Sequence, residues 1–219
     1  MGVLLMLMTI GGVISAFILL MISIFTKKTW LRNFVFGGVF VWFVSYAILL
    51  FAASLLSKDK LLGLNEPKAF CGFYLDCHLH TTVTNVRTTK SLGDKTANGE
   101  FYIVKVKVFS DARQATLGLI TVDANVFDEQ NRKFARDTQA EMQLGEQPPF
   151  EKQISPVESF EKEIVFDLPS DARNPRLDIR EGYGIDHAIE AVLIDDEDSI
   201  LHKRNYFKLE QQSQIAGVK

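Results

Sequence analysis

The chain has 219 residues, and its charges divide it into two unlike parts. Residues 1–60 hold five basic residues and one acidic residue, whereas residues 61–219 hold 19 basic and 26 acidic residues, a net charge of −7. An acidic domain repels phosphates, which argues against nucleic acid as a partner, and two cysteines are too few for a disulfide framework or a complete structural zinc site.

Two charge-free stretches open the chain and predict helices at about 3–25 and 34–56. At about 1.5 Å per residue, 23 residues cover roughly 34 Å, enough to cross the hydrocarbon core of a bilayer. Backbone inside lipid has to satisfy its own hydrogen bonds, so both stretches are predicted to be transmembrane helices. The first stretch also lacks the basic flank of a cleaved signal peptide. Residues 1–60 are therefore predicted to form a transmembrane hairpin anchored in lipid.

The short connection TKKTWLRN between these helices carries three positive charges and Trp30. Basic loops are retained in the cytoplasm, so the loop is predicted to lie inside and both chain ends outside. Small residues on the helices permit close packing, and we expect it to occur within the hairpin, with a partner helix as the alternative. These residues are Gly11, Gly12, Ser15, Ala16, Gly37 and Gly38.

The remainder is predicted to comprise a linker at 61–76, a β domain at 77–209 and a polar tail at 210–219. The first strand is expected at 78–90, and the pair Asn98-Gly99 predicts a hairpin turn. The following strand shows the clearest alternation, with Lys105 and Lys107 on one side. Its other side carries Tyr102, Val104, Val106 and Val108.

The later predicted elements are short and separated by turn residues. They are strands at 117–128, 133–135, 160–168, 176–180, 187–194 and 200–209, with a helical turn at 138–144. In the strand at 160–168, Phe160, Ile164, Phe166 and Leu168 are expected to face inward. Seven or eight short strands over about 130 residues are typical of an immunoglobulin-like β-sandwich. The predicted fold class is therefore a two-helix transmembrane hairpin followed by an all-β sandwich.

Three runs in the β domain resemble a known bacterial family: GEFYIVKVKVFSDARQ, ITVDANVFDEQNRKFARDT and SPVESFEKEIVFDLPSDARNPRLDI. They are similar to DUF4352, a family of extracytoplasmic immunoglobulin-like domains of unknown function, and the similarity covers roughly residues 75–209. The resemblance implies a secreted or membrane-tethered sandwich and no particular reaction. Gln130-Asn131 stands where the family pattern has a turn glycine.

The densest group of reactive side chains is CGFYLDCHLH, which contains Cys71, Cys77, His78 and His80. A structural disulfide between Cys71 and Cys77 is the leading prediction. On a strand the two histidines would share a face about 6.6 Å apart, so a copper or zinc site of Cys71, His78 and His80 is the alternative. The spacing matches no established metal motif, and we predict no cofactor.

Other reactive residues give no catalytic pattern. The acidic run Asp195–Asp198 lacks the spacing and the central glycine of a calcium loop, so a solvated turn is expected there. His187 and His202 stand alone and are expected to be ordinary strand residues. Hydrolase, metalloprotease and phosphate-loop motifs are absent from the sequence, and we predict that the protein is not an enzyme.

These features predict an accessory or interaction protein of the bacterial cytoplasmic membrane. Its sandwich would lie on the periplasmic or extracellular side, and its helices would contact lipid and a membrane-protein partner, as in a small subunit of a larger complex. The alternative function is a metal- or ligand-binding sensor built on Cys71, His78 and His80.

Overall fold

Two long helices open the chain, as their charge-free sequences predict. The structure, a computed structural model, describes residues 2–72 and 76–210. Helix α1 spans Gly2–Phe25 and helix α2 spans Thr29–Leu56, and both are long and apolar enough to cross a membrane. The helices form a hairpin in which Trp42 Nε1 donates a hydrogen bond to Thr9 Oγ1 at 3.0 Å.

The glycines of these helices are not used for packing within the hairpin. A Cβ atom built on Gly11, Gly12, Gly37 or Gly38 would meet no heavy atom within 4 Å outside the local helix backbone. Close approach of α1 and α2 therefore does not require these four positions to be glycine. The expectation that they serve packing inside the hairpin is wrong for this structure.

The chain folds into two compact units. The first contains the residues up to Lys58 together with Gly184–Arg204, and the second contains Asp59–Tyr183 and the residues from Asn205 onward. The second unit is a β-sandwich of nine strands within its described residues. These are β1 Lys60–Leu62, β2 Lys68–Gly72, β3 Asp76–Leu92, β4 Lys95–Ser110, β5 Val122–Phe127, β6 Lys133–Ala135, β7 Ser159–Leu168, β8 Arg176–Glu181 and β9 Asn205–Lys208.

Two sheets make up the sandwich, with strand orders β1-β9-β8-β5-β6 and β2-β3-β4-β7. The pair β1–β9 is parallel and the other pairs are antiparallel. The core between the sheets is built from alternate residues of the strands, because successive side chains of a strand point to opposite faces. Its fully buried members include Val104, Val106, Ile164, Phe166, Leu177, Ile179 and Phe207.

The predicted alternation of β4 is confirmed, and its second face is partly covered too. Phe101 and Ile103 point away from the main core and form a smaller cluster with Val165 and Ala140. Ala140 belongs to helix α3, Thr138–Glu141, which a 3₁₀ turn at Met142–Leu144 extends. The helical turn predicted at 138–144 is therefore present, and it covers the outer face of the sheet β2-β3-β4-β7.

Residues 61–76, which we predicted to be a linker, contain β1 and β2 instead. Leu62 and Phe70 are buried members of the sandwich core, so β1 and β2 are part of the sandwich. The Gly and Pro residues of this segment suggested a linker, but short edge strands tolerate both residues. The tail predicted at 210–219 lies outside the described residues except for Glu210.

Asn98-Gly99 is not the hairpin turn that its sequence suggested. The β3–β4 turn is Gly93-Asp94, since Leu92 pairs with Lys95 and Gly93 has a φ of 55°. Asn98 and Gly99 lie within β4, and their backbone N–H groups donate to the Asp167 carboxylate at 2.8 and 3.0 Å. The competing pair Gly93-Asp94, five residues earlier in the hairpin, explains the error.

Three other elements differ from the sequence-based predictions. The third strand begins at Val122 instead of residue 117, and the last strand is shortened to Asn205–Lys208. The segment predicted as a strand at 187–194 contains most of helix α4, Gly184–Glu190, and the turn that follows it. The turn at Gln130-Asn131 keeps the conformation that favours glycine, because Asn131 has a φ of 59°, which asparagine tolerates better than most residues.

Gly99→Ala is expected to destabilise the sandwich by about 1–3 kcal/mol, the usual cost of overpacking. A Cβ at this position would lie 2.0 Å from the Leu168 carbonyl oxygen, so β4 or β7 has to move. Chemical denaturation of the full chain in detergent, followed by the β-sheet circular dichroism signal, measures the change. Gly63→Ala is the matched control, because its Cβ would meet nothing within 4 Å; equal stability of the two variants would contradict the prediction.

Candidate functional site

The two cysteines of the sandwich form a disulfide between β2 and β3. Cys71 and Cys77 are bonded to each other, and no cysteine is left over, since the chain has two. Metal binding by cysteine requires the thiolate, so Cys71 cannot serve as a ligand in this state. The alternative metal site of Cys71, His78 and His80 is therefore corrected: the sulfur that it needs is consumed by the disulfide.

His78 and His80 instead share one carboxylate, that of Asp111. His78 Nδ1 lies 2.6 Å from Asp111 Oδ1, and His80 Nε2 lies 3.3 Å from Asp111 Oδ2. Both histidines lie on β3, two residues apart, as the strand alternation predicts. Asp111 follows the end of β4, and its backbone N–H donates to the His78 carbonyl at 3.1 Å. His80 also stacks on Phe109, with ring centroids 5.0 Å apart.

The histidines perturb the carboxylate that they share. The hydrogen bond from His78 is the largest cause that lowers the pKa of Asp111. Burial is the next largest and raises it, and the charge and hydrogen bond of His80 lower it again. The anion is thereby stabilised. Sequence analysis missed Asp111, because it lies 31 residues from His80 and only the β3–β4 pairing brings them together.

A second cluster lies in the first unit, on the segment Gly184–Arg204. His187 and Glu190 are one turn apart on α4, and His187 Nδ1 lies 2.9 Å from Glu190 Oε2. The chain then folds back, with Ile200 N–H donating to the Ala191 carbonyl at 3.0 Å. This return brings Asp198 to α4, so that ligand atoms of His187, Glu190 and Asp198 lie within 4.8 Å of one another.

The carboxyl groups of this cluster are partly withdrawn from water. Burial is the main cause that raises the pKa of Glu190, and the nearby charges of Asp198 and Asp196 raise it further. Burial is also the main cause that raises the pKa of Asp196; the hydrogen bond from the Asp198 backbone opposes it, and the charges of Asp198 and Glu197 raise it further. The solvated turn expected for Asp195–Asp198 is thus correct for the exposed Asp195 alone, whereas Asp196 and Asp198 are half-buried.

We predicted that His187 and His202 are strand residues, and this prediction is wrong. His187 lies on α4 and belongs to the cluster, and His202 Nε2 lies 3.9 Å from Asp195 Oδ1. The sequence contained a usable signal, since His187 and Glu190 are spaced to share a helix face. Assigning a strand to 187–194 concealed that signal, because on a strand the two residues point to opposite faces.

The sandwich also has an open cleft of about 710 Å³ beside α3. Its charged side chains are engaged in structural contacts. Arg136 binds the Glu141 carboxylate through Nε at 2.8 Å and Nη2 at 2.5 Å, and Asp167 accepts the backbone hydrogen bonds of Asn98 and Gly99. The described lining residues include neither histidine nor cysteine, and we assign no reaction to this cleft.

Residues 76–189 match the family described as "Domain of unknown function (DUF4352)". No curated protein matches the chain.

Solved structures of low sequence identity resemble the chain. The secreted protein MPT63 of Mycobacterium tuberculosis is 11% identical, with 59% of this chain and 92% of that chain covered and a TM-score of 0.39. The yjhA protein of Bacillus subtilis is 12% identical, with 68% of this chain and 100% of that chain covered and a TM-score of 0.42. An uncharacterised β-sandwich protein of Clostridium difficile is 13% identical, with 70% of this chain and 96% of that chain covered and a TM-score of 0.37.

Asp111→Asn is expected to reduce stability at neutral pH and to have little effect in acid. A carboxyl group whose pKa is lowered by folding stabilises the fold above its unfolded pKa of about 4, and this contribution is lost as pH falls through the lower folded value. The difference in unfolding free energy between wild type and variant, measured by denaturation from pH 7 to pH 3, should therefore shrink below about pH 4. Asp94→Asn, in the exposed β3–β4 turn, is the control; a difference independent of pH would contradict the prediction.

Proposed function

The chain belongs to the DUF4352 family, and on this premise we propose that it is a membrane-anchored accessory protein with a non-catalytic sandwich. In this proposal α1 and α2 cross the bacterial cytoplasmic membrane, and the sandwich lies on the periplasmic or extracellular side. The helices bind a membrane-protein partner, so that the chain is a small subunit of a larger complex. The observation that carries the proposal is the exposed apolar surface of both helices.

Large apolar side chains are exposed all around the hairpin. Phe17 is 64% exposed and Phe40 is 71% exposed, and most positions of both helices share this character. Exposure of so much apolar surface to water is unfavourable by about 25 cal/mol per Å², and soluble proteins rarely carry apolar patches of such size. Helices of 24 and 28 residues also match the thickness of a bilayer. These properties support an anchor that spans the membrane.

Two independent features support an outer location for the sandwich. Lys27 and Lys28 lie in the connection between the two helices and Arg32 lies in the first turn of α2, and positively charged segments of this kind stay in the cytoplasm. The Cys71–Cys77 disulfide requires an oxidising compartment to persist, as is found outside the cytoplasm. Both features favour the same orientation, with the hairpin loop inside.

The glycines of the hairpin support a partner in the membrane. Glycine in a helix interior costs about 1 kcal/mol relative to alanine, and the hairpin itself makes no use of Gly11, Gly12, Gly37 or Gly38. Small residues on a transmembrane helix let another helix approach closely. Gly12 and Gly38 line an apolar groove of about 260 Å³ between α1 and α2, which would accommodate side chains of a neighbouring helix.

The double variant Gly12→Leu/Gly38→Leu is expected to release the protein from its complex. Leucine side chains would fill the groove and keep a partner helix at a distance, while leaving the sandwich intact. Native electrophoresis of gently solubilised membranes should show wild type in a band of higher mass than the chain alone and the variant shifted toward the monomer. Phe40→Leu, an exposed apolar replacement, is the control; a wild type that runs as a monomer would overturn the proposed subunit role.

Thiol labelling of intact cells tests the orientation. A membrane-impermeant maleimide is expected to label wild type only after treatment with an impermeant reductant, since both cysteines are bonded to each other. Cys71→Ser leaves Cys77 as a single thiol and should be labelled without reductant. Labelling of this variant only after cell lysis would place the sandwich in the cytoplasm and contradict the proposed topology.

A further inference from the structure

We propose that His187, Glu190 and Asp198 form a binding site for one divalent transition-metal ion, with zinc as the ion that fits best. The inference does not depend on the proposed accessory role. It rests on three side chains whose ligand atoms lie within 4.8 Å of one another. Zinc ligands bind at about 2.1 Å, so two of them are at most roughly 4.2 Å apart, and small rotations of these side chains would complete the site.

The local fold brings the three ligands together without distorting α4. His187 and Glu190 are three residues apart, so both project from one face of the helix, where they already contact each other at 2.9 Å. Asp198 arrives from the returning turn, and its backbone N–H donates to Asp196 Oδ1 at 3.0 Å. Two ligands from one helix turn and a third from a neighbouring loop is a common way to build a metal site.

Hydrogen bonds on both sides of Asp198 connect the returning segment to α2 and to Ser57, the residue that follows it. The Tyr46 hydroxyl donates to the Val192 carbonyl at 2.7 Å, and the Lys203 N–H donates to Ser57 Oγ at 2.8 Å. Leu193 is also buried. These contacts fix the turn that carries Asp198 to a regular helix. Support of this kind holds metal ligands in place.

Ligand chemistry selects the class of ion. Calcium and magnesium are bound by oxygen ligands, whereas an imidazole nitrogen combined with carboxylates suits zinc and its neighbours. A divalent ion would also balance the charge of the cluster, in which Glu190, Asp196 and Asp198 are half-buried. Arg204 Nε lies 3.4 Å from Asp198 Oδ1 and already balances part of that charge. The Arg204 side chain would therefore have to move away from Asp198 when the ion binds.

Three protein ligands leave one position of a tetrahedral zinc ion for water or for a group from another molecule. Among the described residues, the only set of three ligating side chains gathered this closely is that of His187, Glu190 and Asp198. The metal site is therefore assigned to the segment Gly184–Arg204 and not to the disulfide end of the sandwich.

Metal analysis of the full chain in detergent tests the assignment. After treatment with a chelator and its removal, isothermal titration with ZnCl₂ should show one ion bound per chain. His187→Ala and the conservative Glu190→Gln should each weaken zinc binding at least about tenfold, the scale seen when metal sites lose a supporting group. His80→Ala is the matched control and should bind zinc as wild type does.

Thermal unfolding gives a second measurement that separates loss of metal from loss of fold. Zinc should raise the unfolding temperature of wild type and of His80→Ala, because a ligand that binds the native state stabilises it. Glu190→Gln should unfold cooperatively without that rise. Less than about 0.1 zinc per chain in wild type, or loss of binding in His80→Ala with retention in His187→Ala, would overturn the proposal, as would calcium binding in the absence of zinc binding.

Discussion

Removal of apolar surface from water is the constraint on which both units of this protein depend, and they meet it differently. The sandwich meets it internally, because β4 pairs with β3 on one side and β7 on the other and presents Val104, Val106 and Val108 to the opposite sheet. The helices cannot meet it by pairing with each other, since one hairpin contact covers only one face of each. Residues such as Phe17 and Phe40 stay exposed, which is why the proposed function begins with a bilayer.

Burial also explains how the sandwich handles its polar groups. Lys68 of β2 and Asp178 of β8 belong to different sheets, yet both side chains are almost fully buried and lie 3.8 Å apart. Lys68 Nζ also donates to the Ile179 carbonyl at 2.8 Å. Such a pair contributes little net stability, because desolvation offsets the attraction, but removing one partner is costly.

The parts of the fold that were predictable are those in which one residue pattern has one physical solution. A charge-free stretch of more than 20 residues predicts a long apolar helix, as α1 and α2 are, and the alternation in β4 and β7 predicts their buried faces directly. The errors arose where local signals compete. Gly93 and Asn98-Gly99 both favour a turn, and long-range pairing of β4 with β7 decided between them. His187–Ile194 has strand-like composition, yet it folds as the end of α4 and a turn, in which the Val192 carbonyl accepts a hydrogen bond from Tyr46 of α2.

The candidate sites were harder to predict because their members come from distant parts of the chain. His80 and Asp111 meet only after β3 and β4 pair, and His187 and Asp198 meet only after the chain reverses. The family match ends at residue 189, so Glu190, Asp198 and the contacts with Ser57 lie beyond it. The family domain accounts for most of the sandwich, whereas Gly184–Arg204 belongs to the same compact unit as α1 and α2. The half-buried group of His187, Glu190 and Asp198 lies on that segment, so most of the candidate metal site comes from residues at or beyond the end of the family match.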